Sequence, residues 1–134
     1  MRVRALLSVL LLLCAGCNFG NWRWLDHTFE SRVLRVRSGD RYFFSFEENA
    51  TTGYRWEATA DNDDVEVRLE HVAGDTSNGL VGAPGQAKGE IRVHRGFDGP
   101  AEVVFRYKRS WEKEPIRQFS VTLYKEQAER AFWE

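Results

Sequence analysis

From Arg41 onward the chain repeats one device: short runs in which apolar and polar residues alternate with a period of two. Residues 41–47 place Tyr42, Phe44 and Phe46 on one face; 65–72 place Val65, Val67, Leu69 and His71 against Glu66, Arg68 and Glu70. Residues 101–108 place Val103, Phe105 and Tyr107 on one side, and 118–124 place Phe119, Val121 and Leu123 there. Such alternation fits half-buried strands and excludes helices, whose apolar stripe recurs every three or four residues. Shorter runs at 32–37, 54–58 and 90–94 bring the count to seven. Ser38-Gly39-Asp40, Asp61-Asn62-Asp63-Asp64 and Phe97-Asp98-Gly99-Pro100 supply turns between them. Seven short strands over residues 31–125 predict an all-β, immunoglobulin-like two-sheet sandwich, with a small barrel as the alternative. Consecutive connections then alternate between two ends, so those after the second, fourth and sixth strands emerge together.

The N-terminus has another character. Arg2 and Arg4 precede an apolar run from Ala5 to Leu13, too short to span a bilayer and laid out as an export signal. Ala15-Gly16-Cys17 resembles a bacterial lipoprotein processing box, with Cys14 where leucine is usual. Residues 1–16 are expected to be removed, leaving Cys17 lipidated and membrane-anchored in the cell envelope. Asn18 after it favours the outer membrane where there is one. The alternative is a plain signal peptide that leaves Cys17 as a free thiol. Residues 17–30 then form the anchor and a tether reaching about 45 Å from Asn18 when extended. Trp22, Trp24 and Phe29 in it pack on the domain or lie at the membrane interface. Residues 126–134 are a tail, either a short helix or frayed.

The processed chain of 118 residues has one cysteine, so no internal disulfide, and 17 basic against 20 acidic residues. A net charge of −3 gives no support for nucleic-acid binding. With Cys17 in the tether, there is no credible nucleophile–base set, and an enzyme is not expected. His27, His71 and His94 lack metal-ligand spacing, and residues 61–64 lack that of a calcium loop. No cofactor is expected.

Three connections carry motifs: Asn49-Ala50-Thr51-Thr52-Gly53-Tyr54, Gly82-Ala83-Pro84-Gly85 and Arg109-Ser110-Trp111. In order and spacing they resemble the loops of the chagasin family, proteinaceous inhibitors of papain-like cysteine peptidases. Those loops read Asn-Pro-Thr-Thr-Gly-Tyr/Phe, Gly-x-Gly-Gly and Arg-Pro-Trp/Phe. Ala50, Pro84 and Ser110 depart from that pattern. The resemblance implies a monomeric, reversible, competitive inhibitor that fills a peptidase cleft with three loops. It implies that Thr51 and Thr52 sit over the catalytic cysteine and histidine, that Trp111 stacks in the primed side, and that Gly82 and Gly85 allow close backbone approach. The peptidase-binding set is thus Asn49, Thr51, Thr52, Gly53, Tyr54, Gly82, Gly85, Arg109 and Trp111. Arg109 either fixes its loop from inside or contacts the partner. Asn49-Ala50-Thr51 is also a glycosylation sequon, whose glycan would obstruct this edge. The competing class is a non-inhibitory immunoglobulin-like envelope or adhesion module, favoured by the three departures.

Overall fold

A computed structural model describes residues 22–26, 33–75, 77, 79 and 83–127. Cys17, His27, Phe29, Gly82 and the tail from residue 128 lie outside them. The described chain forms eight strands: β1 Trp22–Trp24, β2 Val33–Val36, β3 Arg41–Glu48, β4 Tyr54–Ala60, β5 Val65–Val72, β6 Gly85–Val93, β7 Ala101–Arg109 and β8 Arg117–Lys125. They make two four-stranded sheets, ordered β1-β3-β6-β5 and β2-β8-β7-β4. This is the expected immunoglobulin-like sandwich with one strand more than the sequence predicts.

The additional strand is β1. Trp22–Trp24, read from the sequence as part of a tether, pairs in parallel with Arg41–Phe43, and the Leu25 amide donates to the Phe43 carbonyl at 2.7 Å. The other difference is the start of β6. Alternation is visible only from Glu90, yet the strand begins at Gly85 and pairs along all of β3. Its first half, Gly85-Gln86-Ala87-Lys88-Gly89, has no β-branched or aromatic residue to signal a strand.

The alternating apolar faces meet between the sheets. Phe44 and Phe46 of β3 pack against Trp56, Phe105 and Phe119 of the other sheet. Phe105 stacks on Phe119 at 4.9 Å, and Phe44 meets Phe105 edge-on at 5.2 Å. These are the offset and edge-to-face arrangements that ring quadrupoles favour. Below them Tyr42 donates its hydroxyl to the buried Asp40 at 3.1 Å, and burial, reinforced by that carboxylate, pushes its phenol pKa well above normal.

The large Phe44 ring fits because Gly89, opposite it in the ladder, has no side chain. A Cβ there would stand 2.1 Å from Phe44 Cζ, in a rigid ring with nowhere to retreat. Gly89→Ala is therefore expected to destabilise the domain by about 2 kcal/mol through overpacking. The urea midpoint should fall with an unchanged slope. An unaltered midpoint would mean that Phe44 can shift freely.

Candidate functional site

Ladder registers place three connections at one pole of the sandwich. Glu48 at the end of β3 faces Gly85 at the start of β6, and Tyr54 at the start of β4 faces Arg109 at the end of β7. The β3–β4, β5–β6 and β7–β8 connections therefore share that pole, as strand counting predicts. The Asp61–Asp64 turn lies at the other, closed by Asn62 Oδ1 accepting from the Asp64 amide at 2.9 Å. Among the described residues no group of His, Cys, Asp and Glu is arranged to hold a metal.

The first connection is a closed turn, not an extended loop. Ala50–Thr52 form one 3-10 turn, and Gly53 ends it in the left-handed region at φ 84°. Both threonine hydroxyls of the motif are spent internally. The Thr51 hydroxyl donates to Asn49 Oδ1 at 2.5 Å, and the Thr52 hydroxyl donates to the Asn49 carbonyl at 2.8 Å. The Thr52 amide reaches the same carbonyl, and the Gly53 amide bonds Ala50 at 3.0 Å. Asn and Thr suit such local side-chain-to-backbone bonding. A further tie comes from the opposite sheet, where the Tyr107 hydroxyl accepts the Asn49 amide at 2.9 Å.

Arg109 joins the first connection to the third. Its Nε donates to the Thr52 carbonyl at 3.0 Å, its guanidinium lies over the Tyr54 ring at 4.4 Å, and Nη1 is 3.4 Å from Glu112. These contacts brace the two connections against each other. The Glu112 amide bonds the Arg109 carbonyl and closes the turn carrying Trp111. Trp111 is 70% exposed, yet its six-membered ring rests on Gly53. A Cβ on Gly53 would stand 2.7 Å from Trp111 Cη2. The 3-10 turn and the indole thus form one continuous ridge. Beside it runs a cleft lined by Arg55, Glu57, His71, Lys108 and Ser110.

The second connection contributes differently. Gly82 lies outside the described residues. Gly85 is buried in the ladder, not exposed at a loop tip, and a Cβ on it would stand 2.5 Å from the Val72 carbonyl. Gly74 is equally close to the Ala83 carbonyl. These two glycines let the chain cross itself at the neck of the loop.

Two supporting residues escape a motif search. Glu48, immediately before Asn49, continues the inward row of Phe44 and Phe46, and its side chain is only 1% exposed. Its carboxylate accepts from the Trp56 amide at 3.3 Å, and His71 Nδ1 lies 2.8 and 2.9 Å from its two oxygens. The carboxylate thereby links the ends of β3, β4 and β5 beneath the ridge. The inward period of β3, carried one step past Glu47, is the signal that could have found it.

A family model described as Chagasin family peptidase inhibitor I42 matches residues 35–123. The chain belongs to the chagasin family. Chagasin-family proteins are peptidase inhibitors, not enzymes, and the matched span runs from β2 to β8 with all three connections inside it. Among solved structures, the fold is similar to the cysteine protease inhibitor EhICP2 from Entamoeba histolytica. That pair has a TM-score of 0.65 at 21% identity, covering 78% of this chain and 96% of the other. It is equally similar to Amebosin, with a TM-score of 0.65 and 21% identity over 80% of this chain and all of the other. No curated protein matches the chain.

Proposed function

We propose that this chagasin-family chain is a reversible, competitive inhibitor of papain-like cysteine peptidases, held in the cell envelope by a lipid on Cys17. The observation that carries the inhibitory reading is the ridge in which the Ala50–Thr52 turn and Trp111 meet across Gly53. A peptidase cleft takes substrate as an extended strand. A 3-10 turn bonded to itself, to Tyr107 and to Arg109 resists that extension and offers no bond for cleavage. Its rigidity also limits the entropy lost on docking. Thr51 and Thr52 occlude the catalytic groups, Asn49 and Gly53 shape the turn, and Tyr54 and Arg109 brace it. Trp111 anchors the flank, and Gly82 lets the second loop approach the cleft, with Gly85 holding its neck. The likeness to a cysteine protease inhibitor supports this choice of partner. The interface would bury about 800 Å² on each side, the standard size.

The test is inhibition of papain and of a cathepsin L-like enzyme by the processed chain. Competitive inhibition at nanomolar to low micromolar concentration supports the reading. Silence at high micromolar concentration refutes it and leaves an immunoglobulin-like binding module, with Ala50, Pro84 and Ser110 as the reason. Trp111→Ala should weaken inhibition by about 2 kcal/mol, roughly 30-fold, while thermal stability holds because the ring is mostly exposed. An unchanged inhibition constant would remove Trp111 from the interface. For the anchor, the chain should fractionate with membranes and Cys17→Ser should not.

A further inference from the structure

A second exposed aromatic surface lies at the pole away from the ridge. Trp22 and Trp24 project from the outer face of β1, 66% and 75% exposed. Each ring lies against Phe43, at 5.5 and 5.6 Å. The Arg41 guanidinium stands 4.7 Å over Trp22 while its Nε bonds Glu90. β1 pairs only with the first three residues of β3. From there β3 runs five residues further to Glu48, about 17 Å towards the ridge. The aromatic patch therefore lies at the opposite end of β3 from the ridge.

We infer that this patch is a seat on the phospholipid surface, which holds the domain upright with its inhibitory ridge turned away from the bilayer. The inference rests on the anchor at Cys17 and not on the identity of the peptidase. Trp22 follows Cys17 by five residues, a reach of at most about 18 Å. A chain lipidated at Cys17 must carry the patch within that distance of its own acyl chains. Indoles with an apolar body and an N–H are the side chains best suited to the head-group layer, and arginine adds a partner for phosphate. Acyl chains alone fix where a protein is held but not which way it faces. Two indoles on a strand paired into the sheet fix both.

The experiment uses the full chain, processed in a bacterial host and reconstituted into phosphatidylethanolamine–phosphatidylglycerol vesicles with brominated acyl chains. Bromine should quench part of the tryptophan emission. Trp22→Ser/Trp24→Ser should lose most of that quenching while remaining in the vesicle fraction and inhibiting the peptidase unchanged. The single Trp24→Ser change, at a ring three-quarters exposed, should show the same loss in smaller measure without touching the ladder. Equal quenching in the unaltered and altered chains, or none in a vesicle-bound unaltered chain, overturns the seat and leaves the anchor standing. An unaltered chain that stays soluble overturns both.

Discussion

Gly53→Val should weaken inhibition about a hundredfold, more than any other single change in the ridge. Two costs add. A β-branched residue at φ 84° is strained by about 1–2 kcal/mol, because its side chain crowds the following carbonyl. The new Cβ would also occupy space 2.7 Å from Trp111 Cη2, so the indole must leave the turn. Losing its placement costs about as much as truncating it, on the order of 2 kcal/mol. The substituted turn relieves that strain in the free protein and must take it up again on docking, so both costs, about 3 kcal/mol together, enter the inhibition constant. Gly53→Ala should fall between the valine variant and the parent, since alanine meets the same indole with less strain. The check is the inhibition constant of both variants beside their thermal midpoints. If valine inhibits as well as glycine, the contact between turn and indole is irrelevant to binding and the proposed wedge fails with it.

His71→Leu should be the most damaging change outside the aromatic core. It leaves the Glu48 carboxylate, almost fully buried, with the Trp56 amide at 3.3 Å and without the imidazole that lies against both its oxygens. Removing one partner of a buried, hydrogen-bonded carboxylate costs about 3 kcal/mol, because the group is left unsatisfied away from water. The urea midpoint should drop with the slope unchanged. Inhibition should weaken too, since Glu48 adjoins Asn49. Adding Glu48→Gln to the same chain should recover part of the loss, because an amide tolerates that site better than an unpaired carboxylate. A loss below about 0.5 kcal/mol for His71→Leu, the level of an ordinary surface site, would falsify the dependence.

What the sequence shows of the fold follows the strength of the alternation. β3, β5, β7 and β8 are legible because each carries at least three large apolar residues two apart, and the structure places them within a residue or so of expectation. β1 is illegible because three residues have no period, and their partner, Phe43, lies some twenty positions away. The first half of β6 is hidden because its core-facing positions are Gly85, Ala87 and Gly89, small so that Phe44 and Phe46 can fill the space. The site divides in the same way. The turn, the glycine and the indole stand in short motifs. The Tyr107 tether to Asn49 crosses between sheets, and the Glu48–His71 pair joins positions 23 apart. Neither leaves a local pattern. The sequence aligns His71 with Val65, Val67 and Leu69, yet the structure leaves it partly exposed at the cleft, where its carboxylate partner 23 positions away gives no local signal.

The parallel pairing of β2 with β8 has a consequence for how the molecule comes into being. Val33 meets Thr122 and Val36 meets Lys125, so the earliest strand of the second sheet is completed by the latest. Nothing between them can substitute, and a ribosome must deliver nearly the whole chain before that sheet can close. Such distant pairings make for slow, late closure. A nascent chain of this kind can close its second sheet only when synthesis is nearly complete.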